Sequence, residues 1–328
     1  MALVHAVLQA YTQRHMAPDA ALSAAQITPR DLARAGGHVA AQQFERLCAA
    51  AMRELDDEAL GWFARRLPWG SYGMLARASI SAPNLGVALA RWCRHHGLLA
   101  RDVLLALRHD GTQAQVTVTE QRDLGILREF ALFSLLRNLH GFACWLIDSQ
   151  ITLRAAEFPF PTPAHADLYA RLFPGTVRFD ARRAALHFDA GYLHMPLRRD
   201  GAALDQMLQN ALPILVWPWR RDRLLAPRVR NLLSARDRHH TAATLAAQLH
   251  VSVRTLHREL RRENVTLQRL KDQVRSTRAR ELLLRSGMPI RRVAVAVGFA
   301  SEKSFSRAFR QWTGQTPVGY RSQADGSR

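Results

Sequence analysis

The sequence predicts a mixed α+β domain followed by an all-α domain that holds two helix–turn–helix units joined by a linker helix. Asp110-Gly111, between two apolar stretches, indicates a β-hairpin in the first half, where helical spacing alternates with strand-like runs. One apolar pattern occurs twice in the last third of the chain, about 48 residues apart, and helical spacing continues between the copies. We place the α+β domain at 1–205, a linker at 206–228 and the all-α domain at 229–323.

In the first domain, apolar residues at helical spacing predict helices, and short apolar runs predict strands. Three prolines in the stretch from Phe158 to Pro163 indicate an extended connector, because the residue before a proline avoids the helical region. In chain order we expect helices at 1–15 and 40–60, a turn at 67–73, a helix at 84–95, strands at 103–109 and 114–119, a helix at 127–145, a strand at 151–154, a short helix at 168–173, and strands at 176–179 and 185–188.

The stretch from Asp205 to Arg223 begins as a helix and is interrupted by Pro213 and Pro218. We interpret the sequence Trp217-Pro218-Trp219 as packing between a domain and the linker, and a ligand-binding aromatic box is the alternative. Residues 227–233 then open the second domain, and residues 234–241 form a polar loop.

The first copy of the repeated pattern predicts a small helix–turn–helix unit. Its turn falls at 250–252, and Ser252 is placed to cap a helix at 253–262, because a serine oxygen accepts a bond from a free amide of the first turn. The apolar positions that form a shared core are Leu245, Leu249, Val251, Leu256 and Leu260.

The second copy repeats this arrangement with Phe305 and Phe309 facing inward. Gly298 occupies the turn, where glycine adopts a positive φ at little cost. Val251 and its counterpart lie 48 positions apart, whereas Leu256 and Phe305 lie 49 positions apart, so the second turn is one residue longer.

Both copies place cations on the outward face of the second helix. Arg254 and Arg258 are four positions apart and share one face of a helix, where a recognition helix would lie in the major groove. With the offset of 49, Lys303 and Arg307 are their counterparts. Two copies with the same spacing of cations are hard to ascribe to chance.

A helix at 266–285 is predicted to join the two units, with Thr266 as its N-cap, Gly287 after its end and Pro289 blocking its continuation. About 18 helical residues span roughly 27 Å, which suits two recognition helices about one DNA turn apart. A last helix is expected to follow Gly314, with Pro317 in its first turn. The residues expected to contact the flanking units are Leu267, Leu270, Val274, Leu282 and Leu283.

The charge of the chain is concentrated in its last third. From position 220 onward there are 24 Lys and Arg residues against 8 Asp and Glu residues, whereas the preceding part holds 22 against 19. All but Lys271 and Lys303 of these basic residues are arginine, whose fork of donors suits phosphates and guanine edges. This distribution predicts that one domain binds a polyanion.

Other classes of function find little support. Cys48, Cys93 and Cys144 are isolated and form no CxxC pair, and no histidine pair has metal-ligand spacing, so we expect neither disulfides, nor a metal, nor a cofactor. No Gly-x-Ser-x-Gly motif, P-loop or acidic cluster indicates an enzyme, so we expect no catalytic residues. No signal peptide and no uncharged apolar run of about 18 residues is present, so we expect a cytoplasmic, nucleoid-associated protein with no membrane partner.

The second domain closely resembles the DNA-binding domain of the AraC/XylS family of bacterial transcription regulators, over residues 229–321. The resemblance is carried by Leu245-Ala246-x-x-Leu249-x-Val251-Ser252-x-Arg254-Thr255-Leu256, by Val297-Gly298-Phe299, and by the run from Phe305 to Pro317. Members of this family often carry serine and then an acidic residue after Gly-Phe, with a second serine two positions later, where this chain has Ala300, Ser301 and Lys303. The resemblance implies that one chain contacts two successive major-groove segments. We take as DNA-binding residues Arg254, Thr255, His257, Arg258, Arg261, Lys303, Ser304, Ser306, Arg307 and Arg310.

The first domain more loosely resembles the effector-binding domain of the arabinose-binding-like subgroup of that family. Supporting stretches are Ser81-Ala82-Pro83-Asn84-Leu85-Gly86, Tyr169-x-x-x-Phe173 and Ala185-Leu186-His187-Phe188. This resemblance implies a sensor that binds a small-molecule effector and dimerises, but it identifies neither the effector nor its pocket.

We therefore expect a sequence-specific transcription regulator, an activator that binds double-stranded operator DNA, contacts RNA polymerase and responds to a small metabolite as a homodimer. The alternative is a non-specific architectural DNA-binding protein, or a nucleic-acid enzyme that uses the same units for docking. Loss of preference at particular bases in Arg258→Ala and Arg307→Ala would favour the regulator, whereas equal weakening on all sequences would favour the architectural protein.

Overall fold

The computed structural model of the chain describes residues 1–34, 37–209, 224–234, 240–263, 265–285 and 287–325. Contacts within the chain divide it into two compact units, Met1–Arg223 and Leu224–Arg328. The first unit combines helices with a sheet, and the described part of the second unit is helical, so the predicted fold class is confirmed. The Trp217-Pro218-Trp219 interpretation and most of the predicted loop at 234–241 lie outside the described residues.

The first unit contains nine α-helices and five strands within its described residues. Two 3-10 helices, Gly125–Leu127 and Ala190–His194, adjoin them. In chain order the elements are α1 (Ala2–Thr12), α2 (Asp19–Ala24), α3 (Pro29–Ala33), α4 (Ala41–Glu54), α5 (Ser71–Ile80), α6 (Leu85–Leu99), β1 (Val103–His109), β2 (Gln113–Glu120), α7 (Arg128–Ile147), β3 (Leu153–Glu157), α8 (Ala166–Leu172), β4 (Thr176–Arg178), β5 (Ala184–Asp189) and α9 (Gly201–Gln209).

The five strands form one mixed sheet in the order β1-β2-β5-β3-β4. The predicted hairpin is confirmed: β1 and β2 pair antiparallel, and Gly111 in the turn has a φ of +87°. Strand β5 pairs antiparallel with β2 and β3, and β4 pairs parallel with β3 at the edge. Apolar Ala114, Val116 and Val118 of β2 are buried and alternate with polar residues, because successive residues of a strand face opposite sides of the sheet; of those polar residues Thr117 is also buried.

Helix α7 is the core helix of the first unit. It is mainly apolar and is buried on nearly all sides, which is the pattern of a helix surrounded by protein. The stretch Gly125–Ile147 is long and apolar enough to cross a membrane, but 89% of its most apolar window is buried inside the protein. Packing within the unit therefore accounts for its composition.

Helix α4 is shorter than predicted, because a buried carboxylate rearranges the chain after it. Asp56 has a left-handed φ of +46°, and Asp57 is 1% exposed. The Asp57 carboxylate accepts backbone N–H bonds from Ala59 at 3.0 Å, Gly61 at 2.9 Å and Leu67 at 3.0 Å. A side chain that bonds nearby amides in this way competes with helical hydrogen bonds, so the helix stops at Glu54 rather than near residue 60.

Helix α5 lies where the sequence predicted only a turn, and the short helices α2 and α3 were likewise not predicted. The first amides of α5 are satisfied by Glu58, which accepts bonds from Gly70 N at 2.8 Å and Tyr72 N at 2.7 Å. The capping carboxylate is therefore supplied from 12 and 14 positions earlier in the chain, outside any local capping pattern.

The second unit contains seven α-helices in its described residues. Helix α9 of the first unit and the first helix of the second extend into the segment predicted as a linker at 206–228. The helices are α10 (Leu225–Ser234), α11 (Ala242–Gln248), α12 (Val253–Arg262), α13 (Leu267–Arg285), α14 (Ile290–Ala296), α15 (Glu302–Thr313) and α16 (Pro317–Asp325).

Candidate nucleic-acid interface

Two separate hydrophobic clusters hold the two helix–turn–helix units. Helix α13 contributes Leu267 and Leu270 to the first cluster and Ala279 and Leu283 to the second, as predicted for a shared connector. Val274 is half-buried and is not among the described members of either cluster, so its contact with the flanking units stays a prediction. The first cluster also contains Leu245, Leu249, Leu256 and Leu260, and the second contains Val293, Val297, Phe305 and Phe309.

The two helix–turn–helix units, α11 with α12 and α14 with α15, each turn at a residue whose backbone is in the left-handed region. His250 has a φ of +56° in the first unit, and Gly298 has a φ of +85° in the second. In each unit the next amide bonds to the carbonyl five residues earlier, at 3.0 Å and 2.9 Å respectively. These are the backbone bonds that close a helix at its C-terminus. The predicted turns are therefore confirmed.

A serine caps the outward helix of each unit. Ser252 Oγ accepts a bond from Thr255 N at 3.0 Å, and Ser301 Oγ accepts one from Ser304 N at 3.2 Å. In each unit the two hydroxyl oxygens also lie within hydrogen-bond distance, at 2.9 Å and 3.0 Å. The hydroxyls of Thr255 and Ser304 are thus held at the cap and are half-buried.

The predicted DNA-binding residues lie on α12 and α15, and none of them is buried. The cations share one face in each helix, because they stand at positions i, i+4 and i+7. Thr255, Ser304 and Ser306 are half-buried, and His257 is exposed. The exposed cations are Arg254, Arg258 and Arg261 on α12, and Lys303, Arg307 and Arg310 on α15.

An acidic residue that the sequence analysis did not single out lies beside the cations of α12. Glu259 Oε1 accepts bonds from Arg258 Nε and Arg262 Nη1, both at 3.0 Å. The bond from Arg258 holds the pKa of Glu259 below its ordinary value, and the bond and charge of Arg262 lower it further. Only the pairing of Glu259 with Arg262, three positions later, has a spacing that favours contact on a helix, whereas adjacent residues such as Arg258 and Glu259 do not face each other, so the bridge was not signalled by spacing.

Arginines that face away from the outward surface support the second unit. The guanidinium carbon of Arg275, on α13, lies 5.3 Å from the centre of the Phe299 ring. Arg321 Nη2, on α16, donates to the carbonyl of Met288 at 2.7 Å. Part of the positive charge in the second domain is therefore structural and does not belong to the outward face.

The N-terminal compact unit, Met1–Arg223, buries polar side chains within an aromatic cluster. His96 is fully buried, and its Nδ1 has no hydrogen-bond partner among the described residues. Trp62 Nε1 is likewise without a partner in that part of the chain. Phe63 lies between them, with ring centroids 6.1 Å from Trp62 and 5.9 Å from His96. Burial lowers the pKa of His96 to about 4, so its ring is neutral at pH 7.

A second buried polar group lies on α7. His140 is within 3.1 Å of Arg137 Nη1 through its Nδ1, and its Nε2 lies 2.9 Å from the carbonyl of Ile151. Burial, with the neighbouring Arg137 charge, lowers the pKa of His140 to about 3. Burial also lowers the pKa of Arg137, to about 10. The sequence assigned no functional role to any residue of either group.

The folded units and the basic faces of α12 and α15 define a helix–turn–helix DNA-binding protein with a separate α+β domain. Residues 16–197 match the family model described as the arabinose-binding domain of the AraC transcription regulator, and residues 245–323 match a helix-turn-helix domain. The chain belongs to the AraC/XylS family of transcription regulators. It is a DNA-binding transcription regulator with an arabinose-binding-like N-terminal domain.

Two relatives, one over nearly the whole chain and one over about a quarter of it, agree with this assignment. The chain is 30% identical over 323 residues to the ornithine utilization regulator of Pseudomonas aeruginosa, covering 98% of this chain and 95% of that protein. It is 36% identical over 86 residues to the HTH-type transcriptional regulator VqsM of the same organism, covering 26% of each chain. The solved structure of the regulator CdpR, also from that organism, covers 93% of this chain and 96% of its own, with 23% identity and a TM-score of 0.34.

Proposed function

We propose that this chain is a sequence-specific transcriptional activator whose helices α12 and α15 bind adjacent major-groove segments under the control of a small metabolite bound in the first unit. The observation that carries the proposal is the matched set of exposed cations, which stand at the same three positions of two capped helices. An arginine presented in this way forms paired bonds with the O6 and N7 atoms of guanine. The protein would act on the nucleoid, in the cytoplasm.

The test compares base preference in two variants. Arg258→Ala and Arg307→Ala should each relax preference at one segment of the site, costing about 1–3 kcal/mol against the preferred base, or roughly 5- to 150-fold in affinity. Binding would be measured on duplexes selected from a random pool and then varied one base pair at a time. The two variants should affect different positions, separated by about one turn of DNA.

Arg280→Ala is the matched control, because this exposed arginine lies on the connecting helix α13 rather than on the outward faces. It should leave base preference unchanged. If Arg258→Ala and Arg307→Ala instead weakened binding equally on every sequence and flattened the salt dependence, the chain would be an architectural DNA-binding protein. A change in the DNA itself that depends on metal or nucleotide would indicate an enzyme.

Metabolite control is supported by the match of residues 16–197 to an arabinose-binding domain model and by Trp62 Nε1 and His96 Nδ1, which are buried and have no hydrogen-bond partner among the residues that the structure describes. The relative that covers the chain is named as a regulator of ornithine utilization, so ornithine is the first compound to test. A ligand shifts an equilibrium only by its different affinity for the two states. An effector should therefore raise the melting temperature of the full chain and change its operator affinity. A compound that raised the melting temperature and left operator affinity and transcription unchanged would contradict this mechanism.

A homodimer that contacts RNA polymerase completes the proposal. Two chains would bring four outward helices to a pair of half-sites, and the first unit would join them. Sedimentation of the full chain should give twice the monomer mass at micromolar concentration. Transcription from a promoter with the selected site should rise when the protein is added to purified polymerase, and a fall would mark a repressor.

A further inference from the structure

The two outward helices carry cations at the same three positions, with Lys303 in the place of Arg254, and they also differ in the residue beside the central arginine. On α12, Arg258 donates through Nε to Glu259 Oε1 at 3.0 Å. The same carboxylate receives two bonds from Arg262 Nη1, at 3.0 Å and 3.1 Å. Glu259 therefore bridges two arginines, and among the described residues no partner is bonded to the Nη groups of Arg258.

The second helix–turn–helix unit does not carry the residues that form this bridge. The offset of 49 places Arg307 at the position of Arg258, Ala308 at that of Glu259 and Gln311 at that of Arg262. An alanine methyl cannot accept a hydrogen bond, and a glutamine carries no charge. Among the residues that the structure describes, no carboxylate is bonded to Arg307. Both members of the bridge other than the central arginine have thus been replaced.

The difference has two physical consequences. A guanidinium held at its Nε by a carboxylate has lost part of its rotational freedom before DNA arrives, so less is lost when it forms paired bonds with guanine. The carboxylate also offsets part of its charge, which weakens attraction to phosphates of any sequence. Arg307 keeps both its freedom and its full charge, so it favours affinity over discrimination.

We propose that Glu259 is a positioning residue that orients Arg258 for base recognition, so that the first helix–turn–helix unit discriminates between bases more strongly than the second. The proposal rests on the proposed function, because it requires sequence-specific binding. It goes further by assigning unequal roles to two helices whose cations match.

The experiment measures discrimination ratios for the full-length protein. A random duplex pool first gives the preferred site, and affinity is then measured for that site and for duplexes altered at each position. Exposed ion pairs are weak, so the expected change is modest: Glu259→Gln should lower the discrimination ratio at the positions bound by α12 about threefold to fivefold. Non-specific affinity should rise at the same time, and binding should depend more steeply on salt.

A gain-of-function variant gives the reciprocal test. Ala308→Glu places a carboxylate beside Arg307, and it should raise the discrimination ratio at the positions bound by α15 by a similar factor. Glu281→Gln is the charge control, because it removes one exposed carboxylate from α13 in the same unit. It should alter salt dependence without changing either ratio. Circular dichroism melting of each variant verifies that the fold is retained.

The outcomes separate this proposal from the broader one. If the wild-type protein enriched no sequence from the pool, sequence-specific function would fail and this inference with it. If it enriched a site and Glu259→Gln changed affinity equally for all duplexes, only the positioning role would be overturned. An unchanged ratio in Ala308→Glu would likewise overturn the unequal assignment of the two helices.

Discussion

The turns of the two units allow a matched test of backbone strain, because one holds glycine and the other histidine. Gly298 has a φ of +85°, and a Cβ added there would meet only Arg275 nitrogens, at 3.6 Å and 3.8 Å. These are ordinary contacts, so Gly298→Ala should cost only the left-handed conformation. That cost is about 1–2 kcal/mol, less the roughly 0.4–1 kcal/mol that alanine gains by restricting the unfolded chain. We expect a net loss of about 1 kcal/mol in the stability of the second helix–turn–helix unit.

The reverse substitution in the first helix–turn–helix unit should raise stability rather than lower it. His250 is exposed and has a φ of +56°, so His250→Gly relieves strain without removing buried contacts. We expect a gain of about 0.5 kcal/mol, because the more flexible unfolded chain offsets part of the relief. His250→Ala is the control: it keeps a Cβ in the same conformation and should change stability by less than about 0.5 kcal/mol.

Amide hydrogen exchange measured by mass spectrometry is the suitable assay, since it reports local stability in each unit of the intact chain. A loss of about 1 kcal/mol in Gly298→Ala should accelerate exchange of the protected amides of α14 and α15 about fivefold, with α1 to α9 unchanged. Unchanged or slower exchange in that variant would refute the reasoning, because it would mean that the turn does not require a left-handed residue.

Two further predictions follow from the caps and the buried histidines. Ser301→Ala removes the cap of α15 and should lower the stability of the second helix–turn–helix unit by about 1 kcal/mol, measured by unfolding in urea. Ser322→Ala, at an exposed serine of α16, is the control. Equal urea midpoints for Ser301→Ala and the wild-type protein would exclude a capping role. His96 and His140 have folded pKa values of about 4 and about 3, below the ordinary 6.5, so the unfolded chain binds more protons as the pH falls. The stability that these neutral rings confer is present above pH 6.5 and is lost towards pH 4, at about 1.4 kcal/mol per pH unit for each histidine. Thermal melts between pH 7 and pH 4 should show this slope, and His96→Phe should reduce it by about half; an unchanged slope in that variant would contradict the assignment.

The second domain was largely predictable because its determinants are local. The helix at Val253–Arg262 was predicted at the bounds observed, since a serine cap, apolar residues four apart and a turn all lie within one short stretch. The same holds for the hairpin, where Asp110-Gly111 marks the turn and the apolar runs mark the strands. These signals need no knowledge of the rest of the chain.

The first unit was less predictable because its helix ends are decided by residues far away in sequence. Asp57 and Glu58 are buried carboxylates that satisfy backbone amides up to 10 and 14 positions later, which ended α4 early and allowed α5 to begin. The register of β3 also shifts at a bulge between Leu153 and Ala155, and the observed strand extends beyond the predicted one. No local pattern announces a bulge in a short strand.

The candidate interface was likewise predictable where it depends on helical spacing and unpredictable where it depends on contacts between side chains. Which residues face outward followed from helical spacing, and all ten predicted residues remain at least partly exposed. What touches them did not follow from spacing: the Glu259 bridge depends on rotamers, and the caps hold the hydroxyls of Thr255 and Ser304 against their own helices. We therefore expect these two hydroxyls to contribute less to base recognition than the neighbouring cations.

The position of the extra residue in the second turn explains how the duplicated face kept its register. Ala300 is exposed and precedes the Ser301 cap, so the added length lies before the helix begins. Because the cap fixes where the helix starts, every position after it keeps an offset of 49, and the cations remain at i, i+4 and i+7. A residue inserted between the cap and Lys303 would instead have rotated the cations and the core phenylalanines together by about 100° relative to the cap. The turn could therefore lengthen without displacing the outward face, so the two helix–turn–helix units differ in which residues occupy that face, Lys303 for Arg254 and Ala308 for Glu259, and not in where its cations stand.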